Sequence, residues 1–361
     1  MKMKMSVVVA ASTALALGAC SSAASTTGGA AGGGAAGNTG SARFSYTSDQ
    51  EGIKSLEGLK LSSTLGAMTP TKKYRLAIIL KSLTNQYWQG IEKGAQAAAQ
   101  KYGVEATVQA ASSEKAQTEQ QTIAQTLVGQ KFDGYVVAPE STSNLAPALN
   151  QMKAQGAPIV NVDDARVAAT AFSGPNHELD GSQAADEFAK MFPGGGKVAQ
   201  VEGQSGSSAA ILRIKGFKEG VAKHSNLVLA ASVPGDWDAN KAYSAAQQVI
   251  RQNPDLKGIY ANNDTMAIGV AKAVQESGKT VAVIGTDGVP EAISGVRGGT
   301  ITATVSPLPY WEGYWAVESV IGLLEGKQVP PWVVAPAQLI TKDNVDQFYD
   351  PSGQVLTTLF K

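Results

Sequence analysis

The stretch "YRLAIILKSLTNQYWQGIEKGAQAAAQKYG", residues 74–103, decides the fold. It opens on an apolar run, turns through the polar "KSLTN", and continues as an alanine-rich amphipathic segment that ends on glycine. A short apolar run followed by a helical pattern is the first half of a βαβ unit. Tyr87 and Trp88 stand side by side where the strand gives way to the helix. Neighbours on a helix lie about 100° apart, so one core face cannot easily bury both rings. At least one ring is expected at the rim of a sheet, where it needs a purpose.

The same alternation runs onward. Strands are expected at 74–80, 106–110, 134–138 and 158–162, and again at 197–202, 227–233, 258–261, 281–285 and 302–305. Helical patterns at 115–130, 208–224, 241–252 and 264–277 lie between them. Strands alternating with helices argue for parallel sheets. "FSGPN" (172–176) and "MFPGGGK" (191–197) interrupt the rhythm near the middle. The chain is therefore read as α/β, with two doubly wound domains of similar size.

Composition removes several function classes. The 361 residues carry 30 Lys plus Arg against 30 Asp plus Glu, for a net charge of zero, which gives no electrostatic case for nucleic acid. His177 and His224 are the only histidines and lie far apart in sequence, which argues against histidine metal sites and Ser-His-Asp catalysis. "PGGGKV" (193–198) lacks the Ser or Thr that a phosphate loop needs after Lys197, and it precedes a strand. "GQSGS" (203–207) puts Ser207 where a nucleophile elbow needs glycine. No catalytic residue, metal or cofactor is expected.

The N-terminus has Lys2 and Lys4, an apolar stretch over 7–17, and "LGAC" ending at Cys20. These are the parts of a secretory signal, and the apolar stretch falls short of the about 20 residues a bilayer span requires. "LGAC" resembles the bacterial lipoprotein box, which implies a lipidated Cys20 and a signal over 1–20. Residues 21–42 are almost all small and are expected to form a flexible tether. In 43–73, Ile53, Leu56 and Leu59 suggest a short helix packed on the main body.

Ligands of doubly wound sheets bind outside the carboxyl ends of the strands, so the strand exits carry the functional information. They hold "SLTNQYW", Asp163 and Asp164, "GDWD" with Trp237, "NND" at 262–264, and "TDG" with Asp287. Arg213 falls in the first turns of an expected helix. Carboxylates and amides accept hydroxyl hydrogens, Arg donates through a fixed fork, and rings cover C–H faces. That set suits a neutral polyhydroxylated ligand. Asp264 is read as a helix N-cap, and Trp311, Trp315 and Trp332 as packing or rim.

At these residues the chain resembles the periplasmic sugar-binding proteins of the ribose/galactose type that serve ABC importers. The resemblance runs from about residue 74 to 342, through "SLTNQYWQGIEKGAQAAAQKYG", "NNDTMAIGVAKAV" and "VIGTDGVPEAI". It implies sugar contacts at Asn85, Tyr87, Trp88, Asp163, Arg213, Trp237, Asn263 and Asp287, to which the exit reading adds Asp164. It also implies two lobes, 74–174 with 308–334 and 175–307 with 335–361, joined by a three-segment hinge. Permease and ATPase partners and a monomer follow from the same resemblance, while the lipoprotein box and tether imply an extracytoplasmic place on a membrane. Ribose binders commonly have Asn at Ala138, Arg at Asp164 and Gln at Pro307, so a related sugar or a sugar alcohol is the better expectation.

Three other classes stand beside this reading. A repressor of the lactose-repressor type shares the fold but needs an N-terminal DNA-binding helix pair. An enzyme needs a nucleophile or acid–base pair. A receptor for a signalling molecule such as autoinducer-2 keeps the fold and changes the ligand.

Overall fold

The computed structural model describes residues 43–48, 55–164 and 166–360. The expected signal, Cys20 and the glycine-rich segment lie outside them. After β1 (Ser55–Glu57) and α1 (Leu61–Leu65), the apolar run of the opening stretch becomes β2 (Arg75–Ser82), buried at every position after Arg75. A strand covered on both faces reads as a continuous apolar run, as a parallel sheet requires. It leads into α2 (Gln86–Tyr102), started by Asn85, whose Oδ1 accepts the Tyr87 N–H at 2.9 Å, and ended by Gly103 in the left-handed region at φ 65°.

The chain continues through β3 (Glu105–Ala111), α3 (Gln117–Gly129), β4 (Gly134–Val137), α4 (Ala146–Ala154), β5 (Ile159–Val162), β6 (Ala171–Gly174) and α5 (His177–Met191). A second series follows: β7 (Gly196–Glu202), α6 (Ser208–Lys223), β8 (Leu227–Pro234), α7 (Ala239–Gln252), β9 (Leu256–Ala261), α8 (Asp264–Ser277), β10 (Ala282–Thr286), α9 (Pro290–Gly298) and β11 (Ala303–Ser306). The last elements are α10 (Pro309–Leu324), β12 (Trp332–Val334), β13 (Gln338–Thr341) and α11 (Val345–Phe348).

Two sheets result. One has the order β1-β12-β6-β5-β4-β2-β3 and is parallel throughout; the other has the order β13-β11-β10-β9-β7-β8, with β13 alone antiparallel. The chain passes between them after β6, after β11 and after β12, in segments that carry Pro175, Pro307 and Pro336. Helix α10 returns to the first sheet and crosses α2 closely: a Cβ on Gly94 would collide with the Tyr310 carbonyl, and one on Gly313 with that of Ile91. Among the described residues no helix is long and apolar enough to cross a membrane.

Two expectations need correction. "FSGPN" does not break the rhythm; its first residues lie in β6 and its Asn176 caps α5. With β1, β12 and β13, β6 brings the sheets to more strands than the nine expected, because elements of three or four residues show no period. The short helix expected around Leu56 and Leu59 is displaced. Leu56 lies in β1 beside Val333 of β12, Leu59 is 44 % exposed, and the helix is α1, which buries Leu61 and Leu65. Ile53 lies outside the described residues.

Candidate ligand-binding site

The strand exits of both sheets meet in one cleft. The first sheet supplies Asn85, Tyr87 and Trp88 from the β2–α2 junction, and Asp163 and Asp164 from beyond β5. The second supplies Arg213 from α6, Trp237 from the β8–α7 loop, Asn263 ahead of α8 and Asp287 after β10. All nine residues expected from the sequence therefore line the same space. Lys81, Glu114 and Ala209 line it as well.

Tyr87 and Trp88 are both buried, at 3 % exposure each, and meet edge to face with centroids 5.2 Å apart. One face of α2 need not cover both, because the cleft between the lobes covers its first turn. Across from them Trp237 is half-buried at φ 60°, its ring lying where a Cβ on Gly203 would be. Asp163 at φ 60° and Asp287 at φ 131° also occupy the left-handed half of backbone space. Three such non-glycine residues in one cleft mark a functional surface, since each conformation costs about 1–3 kcal/mol and persists only where the surroundings impose it.

The charges are mostly paired within the protein. Lys81 Nζ meets Asp164 Oδ2 at 2.6 Å and lies 5.5 Å from the Trp88 ring centroid. Burial works against the Lys81 ammonium, but Asp164 and Glu114 outweigh it and hold its pKa above the ordinary value. Arg213 donates from Nη1 to Asp287 at 3.3 Å and to the Asn262 carbonyl at 2.9 Å, and from Nε to Asp180 at 3.4 Å. It reaches this position because α5 and α6 touch backbone to backbone: a Cβ on Gly181 would collide with the Arg213 carbonyl, and one on Gly216 with that of Glu178. Burial pushes the Asp287 carboxyl up, against the pull of Arg213.

The amides are engaged too. Asn85 caps α2 with its oxygen and gives its NH2 to Glu114 at 2.7 Å, while Trp88 Nε1 donates to the same Glu114 oxygen at 2.9 Å. Asn263, not Asp264, is the N-cap of α8, accepting the Met266 N–H at 2.9 Å. Asp264 instead holds the loop that carries Asp287: it accepts the N–H groups of Gly288 and Val289 and the Thr304 hydroxyl. Burial pushes its carboxyl up to about 6, against these hydrogen bonds. Of the positions that depart from the ribose pattern, Ala138 is fully buried and outside the cleft, and Pro307 lies in a crossing segment.

Sequence reasoning missed Lys81 and Glu114, and both had a signal. Lys81 interrupts an apolar strand, and Glu114 sits at the exit after β3, where the strand-exit rule applies unchanged.

Comparison with known proteins places this geometry. Residues 76–328 match the family described as the periplasmic binding protein domain. The chain is 34 % identical over 293 residues to the D-allose-binding periplasmic protein of Escherichia coli K12, covering 78 % of this chain and 93 % of that one. It is 29 % identical over 290 residues to the ribose import binding protein of the same organism, covering 80 % and 97 %. A solved ABC-transporter solute-binding protein from Actinobacillus succinogenes with bound D-allose superposes with a TM-score of 0.73 at 25 % identity, covering 76 % of this chain and all of that one. Family and fold agree: the chain belongs to the periplasmic binding proteins, a family of solute-binding proteins that serve ABC transport and are not enzymes.

Proposed function

We propose that the protein is a lipid-anchored, extracytoplasmic binding component of an ABC importer that captures a neutral sugar or sugar alcohol between its lobes and hands it to a permease. The observation that carries the ligand class is the charge arrangement of the cleft. Four carboxylates (Glu114, Asp163, Asp164, Asp287) face two cations (Lys81, Arg213). Lys81 is taken by Asp164 and Arg213 by Asp287 and Asp180. Asp163, with Tyr87 on its Oδ1, and Glu114, with Asn85 and Trp88 on its Oε1, each keep a second oxygen to accept hydrogens, with the rings of Trp88 and Trp237 beside them. Ligand hydroxyls satisfy such acceptors through charge-assisted bonds, and a ligand anion meets like charge in a buried place.

The lobes, 74–174 with 308–334 and 175–307 with 335–361, close about the three crossings. Ligand contacts from both lobes then stabilise the closed arrangement over the open one. Anchoring rests on Cys20 in "LGAC".

A thermal-shift panel tests the ligand class, with D-allose and ribose first, then other neutral hexoses, pentoses and polyols, and with sugar phosphates, uronic acids and amino acids as the opposing set. A neutral ligand at about a hundred times its dissociation constant adds roughly 2.7 kcal/mol, a clear rise in Tm. Stabilisation by acidic compounds alone defeats the reading. Cys20→Ser tests the anchor: the variant leaves the membrane fraction, and a variant that stays there as firmly as the parent removes Cys20 from the mechanism.

A further inference from the structure

Two carboxylates share one phenol. The Tyr87 hydroxyl lies 2.8 Å from Asp163 Oδ1 and 2.7 Å from Glu312 Oε2, all three groups buried. A phenol has a single proton to donate. Were both carboxylates ionised, one would face the phenolic lone pairs across a hydrogen-bond distance with no hydrogen between them, a costly arrangement away from water. One carboxyl therefore carries a proton and gives it to the Tyr87 oxygen, while Tyr87 gives its own to the other.

The surroundings decide which. Glu312 lies in the first turn of α10, fully buried, and its Oε1 has no hydrogen-bond partner. The groups acting on it are Tyr87 from α2, Asp163 from beyond β5, Asp180 from α5 and Arg213 from α6. Two of these are acids that oppose a further negative charge, and Arg213 directs its hydrogen bonds to Asp180, Asp287 and the Asn262 carbonyl. Asp163 lines the cleft, with His177 Nε2 3.8 Å from its Oδ1. Burial first, then Asp163, push the Glu312 carboxyl well above the usual carboxylate range, and burial raises the Tyr87 phenol as well.

We propose that Glu312 is a neutral acid that donates its proton to Tyr87, so that Tyr87 turns its own O–H onto Asp163 Oδ1 and leaves Oδ2 of an ionised Asp163 for a ligand hydroxyl. Glu312 is thus a positioning residue, acting through two others on a ligand it does not touch. Only the last step, the ligand hydroxyl, rests on the sugar reading above.

The deciding experiment uses the ligand-free full chain. At neutral pH its infrared spectrum contains the carbonyl band of a protonated carboxyl that Glu312→Gln removes, and isotope labelling of glutamate carboxyls, not aspartate carboxyls, shifts that band. If no such band disappears, or if the one that disappears carries the aspartate label, the proposal is overturned. D-allose is the affinity probe. Glu312→Gln, whose NH2 donates where the acid did, keeps affinity within about twofold, whereas Glu312→Ala loses roughly tenfold. In a Tyr87→Phe background the Ala change adds little. Equal losses in the Gln and Ala variants also overturn the proposal. Failure of D-allose and every other neutral ligand to bind the parent protein counts against the sugar reading, and the infrared result still decides the role of Glu312.

Discussion

Asp164 Oδ1 accepts the backbone N–H of Ala209 at 2.8 Å, joining the end of β5 in one sheet to the first turn of α6 beside the other. Its Oδ2 holds Lys81 Nζ at 2.6 Å and the Ser207 hydroxyl at 2.9 Å. A carboxylate at a helix N-terminus is favoured by the unpaired N–H groups there, and here that preference acts across the cleft. The adjacent acids Asp163 and Asp164 thus differ: the first lines the cleft and accepts the Tyr87 hydroxyl, the second clasps the lobes.

Asp164→Asn keeps the shape of the clasp and removes its charge. Lys81 is then left buried without its ion partner, a loss of about 3–5 kcal/mol for pairs of this kind, so Tm falls. Because the clasp favours the closed form, ligand leaves faster, by roughly tenfold, while association changes little. Stopped-flow release of bound sugar measures this. A folded variant with the parental off-rate removes the clasp from the binding cycle.

The two tryptophans are expected to separate. Trp237 is half-buried in a loop, so Trp237→Ala weakens ligand binding about fivefold or more, roughly 1 kcal/mol of ring contact, at little cost to Tm. Trp88 is 3 % exposed and donates to Glu114. Its replacement by Ala therefore lowers affinity and also costs about 3–5 kcal/mol of stability, as for other buried aromatics. Calorimetry and thermal melts of both variants check the contrast. Parental affinity in Trp237→Ala shows that its ring is not a ligand wall.

Glu140 makes stability fall as pH rises. Both of its carboxylate oxygens are buried without a hydrogen-bond partner. Burial, helped by Glu114 and Asp164 and opposed by Lys81, pushes its carboxyl up to about 8 from an ordinary 4.5. The folded state then holds this proton more tightly than the unfolded state. Its contribution to stability is fully present below pH 4.5 and is lost as pH rises through about 8. Glu140→Gln does not titrate, so its Tm advantage over the parent grows by roughly 2 °C or more across that window and is constant above it. A Tm difference that is flat with pH rules out Glu140 as the cause.

Local pattern carried much of this protein. Strands buried on both faces, such as β4 and the Leu76–Leu80 part of β2, read as continuous apolar runs, and a helix such as α2 carries its caps in Asn85 and Gly103. The alternation of the two dictates parallel sheets, and parallel sheets bring their strand exits to one edge. Strand exits and the family resemblance together made nine cleft residues legible. The tertiary structure decided what each polar group is free to do. Asn85 is spent on its own helix and on Glu114, Asp164 on Ala209 and Lys81, and Tyr87 is oriented by Glu312, 225 residues away. A carboxylate or amide is available to a ligand only if no neighbour in space already satisfies it, and those neighbours arrive from other strands and helices at no fixed spacing in the chain.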